Sequence, residues 1–329
     1  IDVAIDGLPL TGYTDGHAVR GSAIMLKMRI FMNNHKYAEA ITPAELLIKN
    51  TGNPHEITDE YAGIFFENQK NNPEIMFSVQ YSTPDDAHQF DQYTGSRMSC
   101  YPLGDLALAF GKKADGTDDP RKRMTLIMVG DPWVMHTRNT SIATGTYTYP
   151  NGLGTFEYTL GQFPPRQNPV IPVDAESNIP AWSLAWKKGV NPTLNQPRDK
   201  ISGQHRVLMR YADLLLLYAE AKVEVGGGST TDADALKAFN EVRTRPGVDM
   251  PEETTLTREI VRNERRVELA YEGVRLYDIL RWDIGAEVTA NKVTSAGGNG
   301  VSSVSCKWIS NLWPIPQKVM EIMTEDAKW

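Results

Sequence analysis

Cysteine is nearly absent. Two cysteines, Cys100 and Cys306, stand far apart in 329 residues, with no CxxC spacing and no accompanying histidine cluster, so zinc and dithiol redox readings have no support. They are expected to be free or loosely paired. Positive charge is also short: 34 Lys and Arg against 41 Asp and Glu leave a net charge of −7. No basic stripe with interleaved aromatics offsets this locally, which excludes general attraction to a nucleic acid backbone. No apolar run reaches the roughly 18 residues needed to cross a bilayer, and IDVAIDGLPL lacks the positive and apolar regions of a secretory signal. GxSxG and P-loop sequences are missing, so esterase and P-loop NTPase readings have no support. GLGTFE lacks the third glycine of a dinucleotide loop and reads as a hairpin turn. ADGTDDP is acid-rich, but its glycine is misplaced for a calcium loop and the terminal bidentate Glu is absent, so it reads as a surface turn. No cofactor, metal site or catalytic residue is expected.

Hydrophobic residues at 41% and charged residues at 23% are ordinary globular usage. The length allows about two domains or one large one. Residues 17–50 carry Ala23, Leu26, Ile30, Tyr37, Ala40, Ile41 and Leu47 at helical spacing and read as two antiparallel helices meeting near Asn33 and Asn34. In EIMFSVQY the alternation of Ile75, Phe77 and Val79 predicts a strand with one buried face. Residues 82–205 hold most of the turn chemistry, in TPDD, PLGD, YPNGLG and FPPRQNP, so regular structure there should be sparse. VLMRYADLLLLYAEAKVEVGGG then reads as a helix with Leu208, Tyr211, Leu215, Tyr218, Ala219 and Val223 along one stripe, stopped by glycines. TDADALKAFNEVRTRPG places Ala235, Ala238, Phe239 and Val242 at i, i+3, i+4 and i+7. These two form an antiparallel hairpin of tetratricopeptide type, and the pair at 17–50 has a comparable build.

The stretch NERRVELAYEGVRLYDILRW concentrates charge around one glycine. On a helix from Thr257, Glu264, Glu268 and Glu272 fall on one face, where unrelieved like charges destabilise. Arg265, Arg275 and Arg281 lie three residues from opposite charges, so a structural ion network is the favoured reading. A carboxylate pair for glycoside hydrolysis needs separations of about 5 to 10 Å, which almost any i, i+4 pair satisfies. No histidine falls within the stretch to suggest a metal. Gly273 is expected to end a helix or to allow close packing.

RNERRVELAYEGVRLYDILRW closely resembles the C-terminal hallmark of the SusD/RagB (SusD-like) family, in which ER, EL and EGxRxxDxxRW follow in order. VLMRYADLLLLYAEA with ALKAFNEVRTRPG upstream and LWPIPQKVM downstream agree in the right order, and GHAVRGSAIMLKMRIFMNNHKYAEAI resembles a further helical pair of the family. The resemblance is weak between about Ser82 and His205. It implies a mainly α fold, with tetratricopeptide-like helix pairs carrying a loop-rich region of minor β structure. As one large domain, 1–329 would divide into a helical pair at 1–70, a ligand region at 71–205 and a C-terminal helical region at 206–329. It further implies an outer-membrane lipoprotein of Bacteroidetes type, of the starch utilization system kind. Such a protein sits over a TonB-dependent SusC-like transporter and holds a nutrient, usually a glycan, for import. The family is not known for catalysis, and Glu264, Arg265, Glu268, Glu272, Gly273, Arg275, Asp278, Arg281 and Trp282 are structural on this reading. The lipidated cysteine, signal peptide and first helices of the family precede Ile1, and the family continues a little beyond Lys328 and Trp329. A fragment or processed form is therefore expected, with membrane attachment only through an anchor absent from this sequence.

Sugar binding requires flat aromatic faces with polar groups at the ring edge. FDQYTGSR supplies Phe90, Tyr93 and Arg97; GDPWVMHTRNT supplies Asp131, Trp133, Arg138 and Asn139; TYTYPNGLGTFEY supplies Tyr147 and Tyr149. These nine are the candidate ligand residues, although large aromatics pack in cores more often than they bind ligand. Trp182 and Trp186, four apart, suit one apolar helical face in the core. The alternatives are a RagB-type peptide or protein binder, for which helical repeats are suited, and a glycoside hydrolase using Asp118, Asp119 or Glu268.

Overall fold

The computed structural model describes residues 1–90, 102, 104–131, 145–148, 155–158, 184–190, 202–289, 293–294, 304–305, 308 and 310. Its architecture is mainly α, with paired helices of the tetratricopeptide kind. A short helix, α1 (Asp2–Gly7), leads to α2 (Arg20–Asn33) and α3 (Tyr37–Ile48), which meet at the left-handed His35 as expected. The face of α2 that enters the core includes Ala23, Ile24, Met25, Met28 and Met32; the three methionines are unbranched and fill irregular space between helices. Leu26 and Ile30, expected on that face, lie on the opposite side and are exposed.

Strand β1 (Ile75–Val79) pairs antiparallel with a strand more than 120 residues later, and two register irregularities break its alternation. Ile75, Met76 and Ser78 are therefore buried, and Val79, expected inside, is exposed. Ser22 ties α2 to this strand: its hydroxyl accepts from the Val19 amide and donates to the Met76 carbonyl at 2.6 Å.

Among the described residues, the middle segment has two short helices, α4 (Gly104–Ala109) and α5 (Pro120–Thr125), and small strands. Asp119 caps α5 by accepting from the Arg121 amide, with Pro120 at the first helical position. Strands β2 (Leu126–Met128), β3 (Gly145–Thr148), β4 (Thr155–Tyr158) and β5 (Leu184–Trp186) pair as β2 with β5 and β3 with β4. The β3–β4 pairing agrees with the hairpin expected around GLGTFE. Trp186 is in a strand, not on the expected helical face; its ring stacks on Tyr271 with centroids 4.6 Å apart. Trp182, Cys100 and Cys306 lie outside the described residues.

Strand β6 (Arg206–Arg210) is the partner of β1, so Leu208 belongs to a strand and is exposed instead of joining a helical stripe. Helix α6 (Tyr211–Val225) follows directly and is buried almost all round, packed against α2, α3 and two later helices. Burial on every side marks a central helix. It stops at Gly226, and a two-residue strand β7 (Ser229–Thr230) leads to α7 (Ala233–Arg243), whose cap Asp232 accepts from the Ala235 amide at 2.9 Å. Ala235, Ala238, Phe239 and Val242 are buried as the spacing predicted. Strand β8 (Leu256–Thr257) pairs with β7, and Thr257 caps α8 (Arg258–Glu268). Then come α9 (Arg275–Trp282) and α10 (Gly285–Thr289), with β9 (Val293–Thr294) paired to β10 (Val304–Ser305).

The charged stretch is a buried ion network. Helix α8 ends at Glu268, so Glu272 is not on its face; a turn with left-handed Tyr271 and Gly273 carries it back to the same cations. Glu268 is fully buried and meets Arg245 at 2.6 Å, and Arg210 and Arg121 at 2.8 Å each. Arg210 also holds Glu272 and Glu74, Arg121 also holds Glu264 and Asp119, and Lys188 bonds Glu272 and the Glu268 carbonyl. Burial opposes the charge of Glu268, yet Arg245, Arg210, Arg121 and Lys188 together hold its carboxyl well below the usual range. Beside this cluster, Arg265 and Arg281 bind Asp278 and Glu220, and the Trp282 indole donates to Glu220 at 2.6 Å. Arg275 differs from the expectation. It forms no ion pair among the described residues and lies over the Trp282 ring at 5.6 Å.

Candidate ligand-binding site

The β1–β6 ribbon ends at the pairing of Val79 with Arg206, and the chains beyond it run into one corner of the molecule. On one side lies the segment 80–90, on the other 202–205. His88 and Ser202 exchange backbone hydrogen bonds of 2.9 and 2.8 Å, and Ser82 and Asp86 close the intervening turn with bonds of 2.9 and 3.0 Å. The turn contains a cis Thr83–Pro84 peptide. Glu67 grips it from below, its carboxylate accepting from the Thr83 amide at 2.9 Å and from the Thr83 hydroxyl at 3.0 Å. A Cβ at Gly203 would come within 2.2 Å of that carboxylate, so a larger residue there would displace the Glu67 side chain from its present place.

The corner surrounds an open depression of about 570 Å³ bordered by Lys70, Gln80, Tyr81, Ser82, Asp85 and Asp86. An aromatic row leads away from its Tyr81 wall. Tyr81 meets the edge of the His88 ring at 4.6 Å, His88 lies 5.0 Å from Phe90, and the Arg206 guanidinium covers Phe90 at 4.6 Å. Phe90 is nevertheless 45% exposed. Lys70, Asp85, Asp86 and Arg206 form no ion pair among the described residues, which leaves donors and acceptors of both signs beside exposed ring surface. Ring faces suit the C–H surface of a pyranose, and charged or amide groups suit its hydroxyls.

Of the residues selected from sequence, Phe90 belongs to this corner. Asp131 is elsewhere: its carboxylate binds Arg123 and accepts from the Met128 amide at 2.7 Å, closing the turn after β2. Tyr147 stands in β3, opposite Phe156. Tyr93, Arg97, Trp133, Arg138, Asn139 and Tyr149 lie outside the described residues. Sequence reasoning missed Tyr81, His88 and Arg206. The flanking of TPDD by Tyr81 and His88 was a local signal, whereas the approach of Arg206, over a hundred residues away, had none.

The model of the SusD family matches residues 64–325. A SusD-like protein of Formosa agariphila is 26% identical over 290 residues, covering 83% of this chain and 51% of the relative, so the chain spans about half the length of that relative. A SusD-like carbohydrate binding protein from Bacteroides fragilis has a similar structure, with a TM-score of 0.70 at 23% identity over 98% of this chain and 68% of its own. Another solved structure, with xylogluco-oligosaccharide, has a TM-score of 0.58 at 18% identity over 93% of this chain and 63% of its own.

Proposed function

Because this chain belongs to the SusD family, we propose that it binds glycan without catalysis at the cell surface. The bound glycan is passed to a TonB-dependent SusC-like transporter for import, and the whole protein is anchored to the outer membrane by a lipid. The observation that carries the reading is the exposed ring surface of Phe90 next to the polar depression at Tyr81, within the segment matched to the family. Rings half open to solvent beside charged groups that form no ion pair among the described residues serve recognition better than packing. The similar solved structures, one named a carbohydrate binding protein and one with xylogluco-oligosaccharide, support the ligand class.

Hydrolysis has weaker support. A general acid needs a raised pKa and access to the glycosidic oxygen. Glu268 and Asp119 are at most 1% exposed, and the carboxyl of Glu268 is held down. Asp118 is bound by Lys112 and Lys122.

Calorimetric titration with a panel of plant and algal oligosaccharides, xyloglucan fragments included, tests the reading. Tyr81→Ala and Phe90→Ala should each weaken binding by about 1 to 3 kcal/mol with the melting temperature held. Release of new reducing ends, or silence across the panel with saturable peptide binding, would overturn it.

A further inference from the structure

Arginines among the described residues are as a rule paired with carboxylates, at the surface as well as in the core. Arg29 holds Asp213, Arg123 holds Asp131, Arg258 holds Glu224 and Arg281 holds Glu220. Arg206 departs from that rule. Among the described residues it forms no ion pair and no side-chain hydrogen bond, and its guanidinium lies over the Phe90 ring, 4.6 Å from the centroid. The side chain is half-buried, so its charge has lost part of its water without gaining an anion. A ring face holds a guanidinium through its π electrons and leaves the N–H edge free. That edge is a rigid fork of donors, which the paired oxygens of a carboxylate or sulfate fill with two parallel bonds. Lys70 repeats the pattern at the depression. It is half-buried, forms no ion pair among the described residues, and its charge reaches His205, the residue before Arg206. The carboxylates of the corner do not cancel these cations. Glu67 is occupied by the Thr83 amide and hydroxyl, while Asp85 and Asp86 are exposed in the turn, where water and salt screen them.

From this arrangement we infer that the corner recognises an acidic glycan, with Arg206, held on Phe90, binding the oxyanion of a uronic acid or of a sulfated sugar. The inference rests on the glycan-binding reading given above and narrows its ligand class. Lys70 adds a second positive charge at the depression, and Asp85 and Asp86 accept from neutral hydroxyls on a neighbouring sugar. An oxyanion placed at the turn instead would be repelled by those two carboxylates, which sets the direction in which the glycan lies. A half-buried cation attracts an anion more strongly than a screened carboxylate at the surface repels it, because the effective dielectric is lower beside the protein. Arg206 is thus the specificity-determining residue, and Phe90 acts partly through it as the platform that orients the guanidinium.

The test is calorimetric titration of the full chain with oligosaccharide pairs matched in everything but charge: oligogalacturonate against its methyl ester, and sulfated galactan oligosaccharide against the desulfated form. A charge-assisted hydrogen bond is about twice as strong as a neutral one, so at least one acidic member should bind about tenfold more tightly than its neutral counterpart. The advantage should narrow as salt rises from about 0.05 to about 0.5 M. Which pair responds tells a carboxylate ligand from a sulfated one. Arg206→Gln should reduce the preference to about threefold or less with the melting temperature held, whereas Arg206→Lys, which keeps the charge and loses the fork, should retain part of it. Lys70→Gln should give a smaller loss than Arg206→Gln. Equal affinity within both pairs, a preference that Arg206→Gln leaves intact, or a neutral xyloglucan fragment as the tightest ligand would each overturn the inference while glycan binding itself stands. The wild-type comparison decides this without any variant. Silence of every oligosaccharide, charged and neutral, would overturn the glycan reading and the inference together.

Discussion

Glu268 receives three guanidinium groups in a fully buried setting. Removing its charge leaves Arg121, Arg210 and Arg245 desolvated and underpaired, which is more damaging than the loss of an exposed pair. Glu268→Gln should therefore cost about 3 to 5 kcal/mol in urea unfolding, with an unchanged m-value. Arg275 makes the contrast. It sits in the same hallmark but forms no ion pair among the described residues and lies over the Trp282 ring, so Arg275→Ala should cost about 1 kcal/mol or less. Equal losses for the two variants would show that position in the motif matters more than partners. The spacing of acids and bases made a network legible in the sequence. It did not reveal which arginine stands outside it, because that depends on where Glu272 is carried by the left-handed turn at Tyr271 and Gly273.

Among the elements, the helices were the most legible. The ends of α2, α3 and α7 follow from local chemistry: a left-handed residue between the first two and an Asp cap on the third. Asp232→Ala should lower stability by about 1 kcal/mol through loss of the cap, read as a shift in the urea midpoint; the Lys222 pairing is partly exposed and adds little. Strands were less legible. Leu208 was consistent with the helical period, yet the five residues before α6 pair with β1, because long-range hydrogen bonding outweighs a short local pattern. Val79 and Trp186 differ from expectation for the same class of reason. A register irregularity and a strand partner decide which face is covered.

Across the whole molecule, stability should fall in acid in two stages. Burial lowers the pKa of His55 and His205, so the unfolded chain binds protons more readily, and their contribution is present above about pH 6.5 and lost below it. Carboxylates come next. Burial opposes the charge of Asp213, but Arg265 and Arg29 bring it to about 2, and Arg281 and Arg210 lower Glu220 and Glu272 in the same way. Their contribution is present above about pH 4.5, the unperturbed carboxylate range, and is lost as pH falls through the lowered values. Asp213 alone accounts for about 2 kcal/mol on the scale of 1.36 kcal/mol per unit. Melting temperatures between pH 8 and 2.5 should show a first decline below 6.5 and a steeper one below 4.5. A flat profile down to pH 3 would contradict the buried network.

The sequence by itself determined the helical pairs, the glycine stop of α6, the concentration of turns in the middle and the structural character of the charged hallmark. All of these depend on residues within a few turns of one another, where propensity, capping and spacing act. Tertiary structure alone decided that Glu268 meets Arg121, Arg210 and Arg245 from three separate segments. It also decided that His205, more than a hundred residues later, accepts from the Tyr81 amide, and that Arg206 covers the Phe90 ring. Those partners are joined by the pairing of β1 with β6, and no periodicity in a single chain encodes which distant strand will complete a ladder or which buried cation will neutralise a given carboxylate.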